Sequence, residues 1–264
     1  MEDVFKFIDL DCSPNCMDQS FEILDEEILA QYIAYLVMGH SRHLMKIIET
    51  LVKPTDKLSF SEGHKKKIIS YLELGDESND NKRYKRDGWL FQMISWLVVY
   101  FKYKGTKMKM APPHDQPSMH GIDGLLVVVN DGHIQNIVIT EDKCTENPIS
   151  IIRTQVLPEF EEYENDLKDT PLLNNVGTRL DLFGEDYEEA HNEITNKDIR
   201  QYRIGITREE THNGLDGRRK LFENYEQSVK GTIDRRIGSS VYIKELREWM
   251  DSLASKVIAC ITKM

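Results

Sequence analysis

GIDGLLVVVNDGHIQNIVITEDK, Gly121–Lys143, is the stretch on which the fold turns. Its first part, Gly121–Val129, is rich in Val and Leu and reads as a buried strand. Asn130-Asp131-Gly132 is a strong tight-turn signal, and His133–Lys143 returns as a second strand, so the stretch predicts a β-hairpin. Side chains alternate faces along a strand. Ile137, Ile139, Glu141 and Lys143 therefore share one face, and Val138, Thr140, Asp142 and Cys144 share the other. Counting back from the turn places Asp123 opposite the Thr140–Glu141 region, and a bulge would shift the register by one residue.

Working outward, the sequence on both sides has helical spacing. Ile28, Leu29, Tyr32, Ile33, Leu36 and Val37 recur at three- and four-residue intervals within a helical stretch from Leu24 to Val52. Gly39 interrupts it, and Leu44, Ile47, Ile48 and Leu51 carry a second helix that Pro54 ends. A third helix is expected over Lys65 to Leu74. The polar run GDESNDNKRYKRD, residues 75–87, has loop composition and marks a boundary. Trp89 to Tyr103 is an apolar helix of the kind that packs on a sheet. MAPPHDQPSMH is punctuated by proline and unsuited to a helix. After the hairpin, Asn147 as N-cap and Pro148 in the first turn open a helix to about Lys168, with Pro158 as a kink or break. Tyr202–Thr207 reads as a strand and Ile243 to about Ile261 as an amphipathic helix. Residues 1–18 look irregular. The whole predicts an α/β fold, a mixed sheet flanked by helices, with a helical region over 1–80 and the sheet-bearing part over 87–264.

The chain has 264 residues, 40% of them hydrophobic, and a net charge of −11. No run of 18 apolar residues occurs, and the acidic start MEDVFKFIDLD lacks the pattern of a secretory signal, so a cytoplasmic protein without membrane contact is expected. Cys12 and Cys16 have no partner pair that completes a zinc site, which favours free thiols. An acidic body is unsuited to unaided, non-specific grip on nucleic acid. Yet eight basic residues and one acid lie between Lys82 and Lys109, while 159–193 is dense in Asp and Glu. Arg218, Arg219, Lys220, Arg235 and Arg236 are further candidate phosphate contacts.

The hairpin ends carry the chemistry. Two carboxylates, Asp123 and Glu141, with the carbonyl of Asp142, form a set of oxygen ligands suited to Mg²⁺ or Mn²⁺. Lys143 on the Glu141 face can orient a water or offset charge on phosphorus. The alternative is a surface salt bridge at a strand end, with Asp123 serving as a turn residue. Trp89 and Trp96 read as core, and His114 and His120 as loop residues.

The GID of Gly121–Asp123, followed eighteen residues later by the EDK of Glu141–Lys143, resembles the PD-(D/E)XK nuclease superfamily. The resemblance covers about residues 87–210 and implies a restriction-endonuclease-like core of order αβββαβ, with the helical N-terminal part outside it. It implies Asp123 and Glu141 as metal ligands and Lys143 as catalytic lysine, with Ile122 replacing the usual Pro. Members often carry a Glu in the preceding helix, where this chain has Gln92. Many place a Gln or a basic residue on the next helix, which points to Gln155, with Arg153 nearby. The implied activity is a metal-dependent DNA endonuclease of a bacterial restriction or anti-phage system, working with a helicase or sensor partner. RNA is a second substrate class in the same superfamily. The competing expectation is a catalytically inactive nuclease-fold subunit that binds protein or nucleic acid.

Overall fold

Asp131 and Gly132 both adopt positive φ, 48° and 83°, and close a two-residue turn between Asn130 and His133. That backbone matches the right-handed twist of the strands it joins. The computed structural model describes residues 4–50, 60–75, 80–181 and 188–264. The strands are β1 (Phe5–Cys12), β2 (Cys16–Ile23), β3 (Met108–Met110), β4 (Gly124–Asn130), β5 (His133–Lys143), β6 (Arg200–Arg208) and β7 (Arg236–Tyr242). They form one mixed sheet in the order β1-β2-β7-β6-β5-β4-β3. β4 runs antiparallel to β3 and β5, whereas β5, β6 and β7 are mutually parallel.

Among the described residues four helices precede β3: α1 (Glu26–Val37), α2 (Ser41–Thr50), α3 (Glu62–Leu72) and α4 (Asp80–Tyr103). After β5 come α5 (Pro148–Ile151), α6 (Leu157–Glu164), α7 (Asp169–Asp181) and α8 (Glu188–Glu193). The remaining helices are α9 (Leu215–Leu221), α10 (Tyr225–Ser228) and α11 (Leu246–Lys263). Helices α1, α4 and α11 build one apolar core with Phe5, Phe21 and Val241 on one side of the sheet. The other core gathers Ile137, Ile139 and Ile204 against Val156 and Phe160, with Leu172 and Val176 of α7. The α/β expectation with a mixed sheet between helices holds. Among the described residues no helix is long and apolar enough to cross a membrane.

Several local expectations change. Residues 5–23 form a hairpin where irregular chain was expected, and β2 joins β7 in the main sheet. The N-terminal region thus adds strands as well as helices. Cys12 and Cys16 pair across its turn as free thiols. The charged run before Trp89 is helical from Asp80 on, because Arg83 and Arg86 reach Asp251 of α11 while Arg247 reaches Asp87. Charges matched within the fold let a polar stretch take helical form. The strand expected from Gly121 starts at Gly124, and β3 and β7 are strands that the sequence reading lacked. Leu51 and Pro54 lie outside the described residues. The kink assigned to Pro158 appears one turn earlier, as a π-helical segment over Ile152–Val156. Proline has no N–H for the regular i−4 bond, and the widened turn absorbs that loss.

Candidate active site

Strand β5 carries one residue more than β4. Val129 pairs with Ile134 and Val128 with Asn136, so Gln135 bulges out of the ladder. Past the bulge Gly124 pairs with Thr140. The next position, Asp123, therefore falls opposite Glu141 rather than Thr140. Without the bulge the carboxylates would project to opposite faces.

Three contacts fix the cluster. Asp123 Oδ2 accepts the backbone N–H of Asp142 at 3.0 Å, and Asp123 Oδ1 accepts Gln92 Nε2 of α4 at 2.6 Å. Lys143 Nζ lies 2.9 Å from Glu141 Oε2 and 3.6 Å from Asp123 Oδ2. The lysine is the most open of the three, its side chain 26% exposed against 10% for Asp123 and 4% for Glu141. It also lines a cavity of about 310 Å³ with Gln155, Asn147 and Arg247.

Electrostatics follow from this burial. Desolvation, reinforced by the negative charge of Asp123, pushes Glu141 up to about 8. Burial opposes the ammonium of Lys143, but Glu141 and Asp123 outweigh it and hold its pKa above the usual lysine range. Two buried carboxylates sharing one lysine make a site short of positive charge.

The neighbouring α6 adds a residue the sequence reading missed. The charge of Glu159 also raises Glu141, and it raises Tyr163 after burial and Glu141 itself. Lys168 pairs with Glu159. The spacing of Gln155 and Glu159, four residues apart, was the available signal, since helical neighbours at that interval share a face.

The other predicted residues separate. The Asp142 side chain points away from Glu141 and Lys143. It accepts Ser95 Oγ at 2.5 Å and lies 3.5 Å from Arg203 Nη1, whose Nη2 donates to Ser239. Burial pushes Asp142 up to about 7 despite Arg203. Asp142 can reach a cation only through its main chain. Its N–H points to Asp123, and within a strand the carbonyl of the same residue points to the same edge. Gln92 is a donor to Asp123 rather than a ligand. Arg153 pairs with Glu223 and lies outside the Gln155 cavity.

Three of the five expected phosphate contacts are interior. Arg218 is buried against Asp18 and Ser240, Arg235 against Glu164, and Arg236 against backbone carbonyls of Asn15, Val229 and Gly231. Arg219 and Lys220 stay exposed. Trp89 and Trp96 are core, as expected, and their ring N–H groups tie down the carbonyls of His114 and Ala111. The chain approaching Asp123 is thus pinned to α4.

No family model, curated protein or solved structure matches this chain.

The residues present fit a hard divalent cation. Among the described residues no group of three or more His, Cys, Asp or Glu side chains has the geometry to hold a metal. Asp123 and Glu141 are two, and the third protein ligand would be the Asp142 carbonyl, with water completing the shell, as Mg²⁺ prefers. The raised pKa of Glu141 marks a place where added positive charge would be stabilising.

Proposed function

We propose that the chain is a metal-dependent nuclease that hydrolyses phosphodiester bonds of DNA, within the PD-(D/E)XK superfamily and with a restriction-endonuclease-like core. The observation that carries this reading is the convergence of Asp123, Glu141 and Lys143 at one end of the β4–β5 hairpin. The order α4, β3, β4, β5, α5–α6, β6 also follows the αβββαβ pattern of that superfamily, with β3 supplying the strand that sequence reading lacked.

Asp123 and Glu141 would hold Mg²⁺ or Mn²⁺, with the carbonyl of Asp142 as third ligand. The cation, when bound, polarises a phosphate oxygen and acidifies water. Asp123 is held by two donors, so its carboxylate is preorganised and does not reorient as substrate arrives. Lys143 remains an ammonium in the field of the two carboxylates, which rules it out as the resting-state base. It donates a hydrogen bond to the attacking water or to a non-bridging oxygen, where negative charge grows as phosphorus becomes pentacovalent. The new P–O bond would form from water as that water gives up a proton to solvent, the opposite P–O bond would break, and the leaving oxygen would take a proton from solvent. Gln155, exposed beside the same cavity, is placed to hydrogen-bond a phosphate oxygen of the substrate. The acidic body fits an enzyme that works with a protein partner such as a helicase or sensor in a bacterial defence system.

The test is nicking and linearisation of supercoiled DNA with Mg²⁺ or Mn²⁺, with RNA in parallel. Lys143→Ala should cut cleavage by roughly 10²–10³-fold, the usual cost of losing one transition-state donor. Mn²⁺ should still bind at saturating concentration, since both carboxylate ligands remain. If the wild-type chain cleaves no better than Glu141→Gln with every metal and candidate partner supplied, the inactive-subunit reading replaces this one.

A further inference from the structure

One sizeable cavity lies away from the carboxylates. It is a groove of about 900 Å³ between α2, α7, the C-terminal end of α4 and strand β3. Among the described residues its wall carries six cationic side chains, Arg42, Lys46, Lys104, Lys107, Lys109 and Arg179, and one acid, Glu49. On a chain of net charge −11 this is a strong local reversal of sign. Glu49 is moreover engaged, accepting Tyr100 Oη at 2.8 Å. Lys104 donates to the carbonyl of Ile48, a neutral partner that leaves its charge uncompensated.

Arg179 adds a second kind of observation. Its Nε is buried and has no hydrogen-bond partner among the described residues. Burial and the like charge of Arg42 both act against its guanidinium. Arg42 of α2 and Arg179 of α7 line one wall and repel each other, so an anion beside them would be stabilising. Planar guanidinium groups match phosphate oxygens in pairs.

The groove also shares wall residues with the space beside Asp123. Trp96 and Met110 line both this groove and the narrow space beneath Gln92, Asp123 and Asp142. Met110 pairs with Leu126, three positions along from Asp123, and the Lys107 carbonyl accepts the N–H of Val129, six positions along. At about 3.3 Å per strand residue the lysine edge lies roughly 10–20 Å from the carboxylates. That is about three to six nucleotide steps along one strand of B-DNA.

We propose that this groove seats the phosphate backbone of double-stranded DNA and leads one strand to Asp123. The assignment of the far end rests on the nuclease reading, whereas the groove's occupancy does not. Duplex is favoured over single strand by the aromatic residues. Single-strand sites offer rings on which bases stack. Here Trp96 and Tyr100 stack on one another, with 5% and 1% exposure, so they present no platform. What remains is charge, which reads backbone and not sequence.

The experiment is fluorescence-anisotropy titration of the full chain with a short labelled duplex, in chelator, over a range of salt. The variant is Lys46→Glu/Lys104→Glu/Lys107→Glu, and the control reverses three exposed lysines elsewhere, Lys66, Lys230 and Lys263. Melting curves establish that both are folded. The groove variant should lose at least about tenfold in affinity, and its log–log salt slope should shrink by about three, while the control matches wild type. Equal binding by wild type and groove variant, or no duplex binding by wild type, overturns the proposal. So does displacement of the duplex by pyrophosphate or a dinucleotide at comparable concentration, which would make this a small-ligand pocket. Cleavage is read separately against Glu141→Gln. A chain that binds through the groove but never cleaves retains this inference and loses the nuclease reading, and the converse holds equally.

Discussion

Asp123 is held by Gln92 across the junction of helix and sheet, with Gln92 Nε2 2.6 Å from Asp123 Oδ1. This bond links the one polar side chain of the apolar stretch Trp89–Ile94 to the carboxylate that precedes β4. The second oxygen of Asp123 accepts the backbone N–H of Asp142. Both oxygens are therefore aimed before any cation arrives, and α4 is part of the site rather than only its support.

Gln92→Ala should consequently leave the fold intact and weaken the site. Groups that orient a ligand typically cost 10–100-fold in metal affinity or activity when removed, and about that loss is expected here. Mn²⁺ titration and supercoiled-DNA cleavage measure it, and thermal melting separates it from unfolding. Unchanged Mn²⁺ affinity and cleavage would mean that the main-chain N–H alone suffices to set Asp123.

The metal-free site should bind cations in competition with protons. Burial and Asp123 lift Glu141 to about 8, far above the roughly 4.3 of a free Glu side chain. The folded protein then holds a proton that the unfolded chain has already released between those two values. Through this group the metal-free fold loses stability as pH rises across that window and recovers it on falling pH. A cation must displace the same proton. Mn²⁺ affinity is therefore expected to rise by close to tenfold per pH unit up to about 8 and to level off above it. Calorimetry in two buffers of unlike ionisation enthalpy should count about one proton released at neutral pH. A flat affinity profile between pH 6 and 9 would remove Glu141 from the ligand set.

The legibility of this site and of the fold differ for physical reasons. Strand alternation and the Asn130-Asp131-Gly132 turn located Glu141, Lys143 and Asp123, because period and turn chemistry are local properties. The bulge at Gln135 is local too, yet nothing in HIQNIVI marks which residue leaves the ladder. Strand β7, RIGSSVY, went unseen because it buries Arg236, Ser239 and Ser240, which look like loop residues until their distant partners are known. Those partners are Asn15, Val229, Arg203 and Asp18. The hairpin of residues 5–23 hid behind its charges for the same reason. The basic run from Lys82 to Lys109 proved to serve two ends. Arg83 and Arg86 pair with Asp251, whereas Lys104, Lys107 and Lys109 face the groove.

Gly205 and Gly88 offer the same chemical change with opposite expected sign. Gly205 pairs with Asp142 across β5–β6, and a Cβ there would lie 1.9 Å from Asp142 Oδ1. That carboxylate cannot swing aside cheaply, since Ser95 and Arg203 hold it in a fully packed layer between sheet and α4. Gly205→Ala should therefore destabilise the fold by about 1–3 kcal/mol, as overpacking of a dense interior does. Gly88 lies inside α4, and a Cβ added there would meet nothing within 4 Å. Replacing it by Ala removes backbone freedom from the unfolded chain and should stabilise by about 0.5–1 kcal/mol. Denaturant midpoints of the two variants, measured side by side, check both signs. A Gly205→Ala protein as stable as wild type would mean that Asp142 is not fixed where the packing places it. Its main chain would then be a poor candidate for the third ligand beside Asp123 and Glu141.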